Sequence, residues 1–464
     1  MYWGNRGNWG LPQQAQNCKV CTTLPCLLNK NILGENTMNT PERLLSNMYP
    51  EKDTILDKFD RHSEYLVRII ASTEISSECY SYARNFKYAA HLVTSYLLET
   101  DNSNIAQLDT YFFSLAFLYR HSIELGLKAL GFKYILDREE RKEFLKETFH
   151  DLSKILSAVE QVASYLRPME ELEWLQQYFT DISVMDKESD SFRYPFHIYW
   201  EEDEWGLGGQ FNIKRVFEKQ THIDLVKFAN KFEAAFEIID KWYVQDENEA
   251  EEWKKLHPMF IEEGGYYYSQ SVVGYGYLRE DFYPYTKAYH ETANYLKWYM
   301  KKKTEAGNNE IKNLLFMPMC YLYRNCVELS LKTIWFEETG ENFQNRCKVL
   351  LDRKHSISGM WNEIEPFLLE YAQSEDDKEY LGIIEDYCRQ VHNIDSDASK
   401  FRYPVSKNME HYFKSNKRFD FIHVGNFFES INNALDDIDA CLNQMHEFKA
   451  EMDAEYRANM DDFY

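Results

Sequence analysis

The chain has 464 residues, enough for two or three ordinary domains that each bury a core. With 44% hydrophobic and 28% charged residues it reads as a globular chain, and no apolar run approaches the roughly 20 residues that cross a bilayer, so no membrane segment is expected. A formal charge of −24 works against gripping a long nucleic-acid duplex by charge alone, while leaving room for a local basic pocket.

In chain order, residues 1–37 carry no basic start followed by an apolar stretch and no periodicity, which predicts a disordered leader on a cytoplasmic protein. Cys18, Cys21 and Cys26 open with metal-like spacing, but no further Cys or His follows until His62, so no metal site is expected. The other cysteines sit in apolar helical patterns, as reduced thiols do. Residues 38–74 are read as one amphipathic helix, 75–245 as a first helical bundle and 246–274 as a linker, marked by a charge run, Pro258 and the Gly264-Gly265 pair. A second bundle is expected over 275–447, then a helical or frayed tail over 448–464. The tyrosines of "GGYYYSQSVVGYGY" at 264–277 are expected to pack at the junction of the bundles.

The two bundles are predicted from repetition. "LYRHSIELGLK" at 118–128 returns as "LYRNCVELSLK" at 322–332. Ahead of it, "YARNFKYAAHLVTSYL" at 82–97 aligns with "YTKAYHETANYLKWYM" at 285–300; behind it, "HDLSKIL" at 150 aligns with "HSISGMW" at 355. "DKESDSFRYP" and "DSDASKFRYP" follow, with Asp186 and Asp395 each six positions before the Phe, and a shared last helix closes each copy. Five blocks in one order predict an all-α chain of two tandem units related by internal duplication, each of four main helices with a loop or hairpin around "FRYP".

On a helix, Arg120, Glu124 and Lys128 stack along one edge at i, i+4, i+8, and Arg324, Glu328 and Lys332 repeat that edge. An exposed ladder of this kind stabilises a helix by roughly 0.2–0.5 kcal/mol per pair, which accounts for the charge order alone. His150 and His355 ahead of the next helix, and Arg193 and Arg402 in the loops, point further, to a polar cluster in each copy that also takes in His121 and Asn325. Such a cluster either holds an anion or nucleotide or forms a structural network that pins the loop to the bundle.

A second helix with E-x-x-x-K, "HDL" before the third and then "RYP", twice over, resembles the HEPN superfamily of nucleotide-binding helical bundles, over roughly 75–245 and 275–447. The resemblance implies four-helix bundles that pair face to face, in one chain or as homo-oligomers. It also implies the setting of bacterial toxin–antitoxin or phage-defence proteins, with RNA, a nucleotide or a partner protein such as an antitoxin as the molecule recognised. Many members are metal-independent ribonucleases with Arg and His a few residues apart, and Arg215 with His222 and Arg418 with His423 have that spacing. Aligning the last helices on Phe228 and Phe427 sets His222 against Phe421 and His423 against Asp224, and Val216 and Phe419 stand where the family carries Asn. The expectation is a non-catalytic or degenerate protein that recognises a nucleotide, RNA or protein, without a cofactor; the alternatives are a metal-independent endoribonuclease and a helical scaffold.

Overall fold

The computed structural model describes residues 48–99, 105–163, 169–203, 208–245, 251–274 and 282–461; the leader expected over 1–37, with its three cysteines, lies outside them. The first part contains β1 (Leu66–Ile69), α1 (Ile75–Glu99), α2 (Ala106–Tyr134), α3 (Arg138–Thr148), α4 (Leu152–Ala163), α5 (Met169–Met185), β2 (Phe196–Glu202), β3 (Gly209–Arg215), β4 (Thr221–Asp224) and α6 (Leu225–Val244). The second contains β5 (Gln270–Val273), α7 (Tyr283–Glu305), α8 (Ile311–Thr333), α9 (Phe343–Arg353), α10 (Ile357–Tyr371), α11 (Glu375–Ile394), β6 (Lys417–Asp420) and α12 (Phe421–Asp461). The chain is thus mostly helical, and among the described residues no helix is long and apolar enough to cross a membrane.

Among the described residues each half carries six helices in place of the expected four main ones. The additional ones are the short α3, α4, α9 and α10, started by local caps: Asp137 accepts from the Glu139 and Glu140 amides, and Asn342 from that of Asn345. The hairpin after the first "FRYP" is β2 paired with β3, whereas the second loop keeps only a bridge between Val405 and His411.

Residues 48–74 form turns and β1 instead of an amphipathic helix. The run "LVRI" finds an antiparallel partner in β6, with Leu66 opposite Asp420 and Ile69 opposite Lys417, and this distant strand overrides the local helical pattern. β4 pairs with β5 in the same sense, Thr221 opposite Val273. Each of these small sheets therefore joins the strand before the first helix of one half to the strand before the last helix of the other.

The segment expected as a linker is docked. Trp253 and Phe260 are buried, Phe260 against Phe228 with ring centres 5.7 Å apart, and β5 is tied to α2 through Ser271 Oγ donating to the Leu108 carbonyl at 2.7 Å. Tyr266, Tyr267 and Tyr268, expected to pack, stand exposed, because Gly264 and Gly265 at φ +108° and +94° turn the chain outward just before them. Beyond residue 447, α12 continues as helix to Asp461, exposed over residues 448–457.

The helices α1, α2, α7 and α8 meet at the centre. Phe113 stacks on Tyr285 at 3.9 Å, Phe117 on Tyr321 at 4.7 Å and Tyr96 on Tyr295 at 4.5 Å, so one apolar core runs through both halves. As a consequence α2 is covered on every side: each residue from Tyr111 to Phe132 is buried, including Arg120, His121, Glu124 and Lys128.

Candidate functional site

The charged edge of α2 lies inside the protein. Glu124 collects four donors: Lys128 Nζ at 2.6 Å, His150 Nδ1 at 2.9 Å and the Tyr403 hydroxyl at 2.8 Å on Oε1, and the Arg120 guanidinium on Oε2. Arg120 also donates to the His150 carbonyl and, through Nε, to Asp186 at 2.9 Å. The second half repeats the arrangement. Glu328 accepts from Lys332 at 2.8 Å, His355 Nδ1 at 3.1 Å, the Tyr194 hydroxyl at 2.7 Å and Arg324, while Arg324 donates to the His355 carbonyl and faces Asp395 at 3.9 Å.

The ladder expected on an exposed edge is thus a buried cluster, since α2 and α8 form the centre of the molecule. Nor is either cluster completed by its own half. Tyr403 follows Arg402 in the second loop and closes the first cluster; Tyr194 follows Arg193 in the first loop and closes the second. Lys128 lies 5.2 Å above the Tyr403 ring and Lys332 4.4 Å above that of Tyr194, so each ring serves its ammonium as well.

Burial alone would push the Glu124 carboxyl up, but Lys128, His150 and Arg120 outweigh it and hold it well below the usual carboxylate range; the same balance holds Glu328 down. An ionised carboxylate only accepts, so His150 Nδ1 carries the proton. Burial brings that imidazole down to about 4 against the pull of Glu124, and His355 is lowered for the same reason. Two ion-paired clusters of this kind fix geometry; every charged group in them already has a protein partner.

Arg193 and Arg402 stand apart from Glu124 and Glu328. Their Nε groups donate to Ser189 O at 2.5 Å and Ala398 O at 2.6 Å, two carbonyls whose residues take left-handed φ of 61° and 59°, and Arg402 lies over the rings of Tyr321 and Tyr403. The loop arginines therefore build the "FRYP" turns and do not join the Arg, Glu and Lys of α2 and α8. His121 reaches Arg402 O at 3.1 Å across the halves, and Asn325 accepts from Tyr321 at 3.4 Å.

Asp186, Asp395, Tyr194 and Tyr403 complete the clusters and were not singled out as site residues from the sequence. The signal was present, because all four lie inside the repeated D…FRYP block. Asp186 accepts the Ser191 amide at 2.9 Å and Asp395 the Ser399 amide at 3.0 Å; Asp186 thereby bonds its loop to Arg120, while Asp395 faces Arg324 only as a longer ion pair at 3.9 Å.

Arg215 ends β3 and His222 lies in β4, on two different sheets, with His222 Nδ1 3.2 Å from Gln270 Oε1. Arg418 lies in β6 opposite Arg68, while His423 opens α12 and its Nε2 is 2.7 Å from the Ile55 carbonyl, which leaves that nitrogen engaged. Among the described residues no group of three or more His, Cys, Asp or Glu is arranged to hold a metal.

The open space lies elsewhere. A cleft of about 1040 Å³ runs between α1, α6 and the start of α8, lined by five carboxylates, Glu233, Glu237, Asp240, Glu252 and Glu310, against three cations, Arg84, Lys87 and Lys255. A smaller one of about 410 Å³ lies between α7, α8 and α12, where Asp436, Asp439, Glu337 and Glu447 face Lys287 and His290. Both clefts lie between the first and last helices of a half, and both carry more acid than base. In sequence and in fold, the chain matches no family model, no curated protein and no solved structure.

Proposed function

We propose that the chain is a non-catalytic tandem HEPN-like protein, two bundles related by duplication and interlocked as an internal pair, that recognises a partner protein in bacterial stress response or anti-phage defence. The family and its setting rest on the resemblance of the repeated motifs. The observation that carries the choice of partner is the charge of the larger cleft, five carboxylates against three cations, on a chain of formal charge −24. Phosphate binding needs the opposite balance. The basic residues of the repeat that could have supplied it are engaged by Glu124, Glu328 and Asp186 or folded into the loops. Closed clusters alone would suit a helical scaffold equally well; the open cleft favours recognition.

Fluorescence anisotropy with labelled single-stranded RNA and labelled lysine-rich peptides, at about physiological ionic strength, tests this reading. Peptide binding that weakens as salt rises is expected, with no RNA binding and no RNA cleavage. RNA cleavage by the parent chain that disappears in the His222→Ala, His423→Ala double variant would establish the endoribonuclease reading in its place.

A further inference from the structure

Asn85 lies on α1, is 8% exposed and lines the larger cleft, and its carboxamide has no hydrogen-bond partner among the described residues. Its oxygen and nitrogen instead reach the space of the cleft, where water or a ligand can bond them. Helix packing does not call for the carboxamide either: when α1 and α7 are aligned on Tyr82 and Tyr285, the matching position is Ala288, which is fully buried. Alanine fits that place in the second half, so the carboxamide in the first half has another use.

Its chemistry narrows the ligand. A carboxamide offers one acceptor and two donors side by side, and a ligand that satisfies both kinds must present a donor and an acceptor at matching spacing, as a peptide amide does. A linear polyamine presents only donors, and an ionised phosphate presents only acceptors and would meet the surrounding carboxylates. Glu237 and Asp240 stand in the same cleft. Asp240 accepts from Tyr80 through Oδ1, which leaves Oδ2, and Glu237 has a loose partner in Lys241 at 3.3 Å. Each therefore retains capacity for an incoming cation.

From this geometry we infer that the cleft binds an extended basic segment of the partner protein, with Asn85 bonding a backbone amide through both its oxygen and its nitrogen. Glu237 and Asp240 take the Lys or Arg side chain beside that amide. The assignment rests on the protein-partner reading above and places it at one site.

Isothermal titration of the full chain with a capped hexapeptide of alternating alanine and lysine, and separately with spermidine, tests it. Asn85→Ala is expected to weaken the hexapeptide about tenfold while leaving the free protein about as stable as the parent, because no hydrogen bond within the protein is lost. Glu237→Gln with Asp240→Asn is expected to weaken it at least as much, and Glu447→Gln, beside the smaller cleft, to leave it unchanged. Hexapeptide affinity that is indifferent to Asn85→Ala overturns the site while leaving partner recognition standing. Spermidine binding as tight as the peptide's reduces the cleft to a cation trap and overturns the peptide assignment, as does an absence of peptide binding. RNA binding in the preceding experiment instead removes the reading on which the site depends.

Discussion

Tyr403 donates its hydroxyl hydrogen to Glu124 at 2.8 Å across 279 residues of chain, and so closes the ion cluster of the half to which it does not belong. Replacing it with Phe keeps the ring beneath Lys128 and removes one donor from a buried carboxylate. A hydrogen bond to a charged group contributes roughly 1.5–3 kcal/mol, so Tyr403→Phe should lower unfolding stability by about that amount. Tyr194→Phe should do the same at Glu328. Urea unfolding measures both, with Tyr267→Phe, at an exposed ring, as the neutral control. Equal midpoints for Tyr403→Phe and the parent would show that the exchange of tyrosines contributes nothing.

A protease site placed between Gln245 and Glu251 provides a second check. After cleavage the two pieces still share β1 with β6, β4 with β5, both tyrosine contacts and one apolar core. The cut chain should elute from a sizing column at the position of the intact one and separate only in denaturant. Separation in plain buffer would mean that each half is a self-sufficient domain.

The repeat itself was legible because it is written in side-chain identity, block after block, and the long helices of each half followed from apolar period, whereas the short α3, α4, α9 and α10 did not. What escaped is non-local. Arg120, Glu124 and Lys128 look alike whether their edge faces water or a neighbour, and that is decided by Tyr403 and by α7 and α8, far along the chain. β1 is a strand because β6 exists, so a reading confined to residues 38–74 favours a helix. Tyr194 and Tyr403 read as loop residues before proline, and nothing within their own half shows that they cross to the other. Asn85 is one polar letter in an apolar helical pattern; its lack of a partner becomes visible only with α6 in place.

Removing the carboxylate at the centre of a cluster should be far more damaging than removing a tyrosine. Glu124→Gln leaves the ammonium of Lys128 buried without its counter-charge, and breaking a buried pair from one side costs about 3–5 kcal/mol. Adding Lys128→Met removes the orphaned cation, so the double variant should be more stable than Glu124→Gln alone. A double-mutant cycle by urea unfolding should give a coupling above about 1 kcal/mol. A double variant whose loss equals the sum of the two single losses would show that Glu124 and Lys128 do not act as a pair.

The histidines of the clusters make stability depend on pH in a window that the carboxylates do not share. Burial brings His150 down to about 4 from an unfolded value near 6.5, so between those values the unfolded chain binds the proton and the folded chain does not. Stability is complete above about pH 6.5 and falls as the pH drops toward 4, by about 2 to 3 kcal/mol for His150. His355 and His121, also lowered by burial, add in the same direction. The depressed Glu124 and Glu328 work in another range: their contribution is present above the unfolded carboxylate value and is lost only as the pH falls through their still lower folded values. Urea unfolding at pH 7.5, 6, 5 and 4.5 should therefore show a decline that begins above the range of ordinary carboxylates. His150→Gln, whose amide can still donate to Glu124, should flatten part of that decline at some cost in stability at neutral pH. A slope between pH 6.5 and 5 that is identical in parent and variant would mean that His150 takes up its proton alike in the folded and the unfolded chain, and that burial does not hold it down.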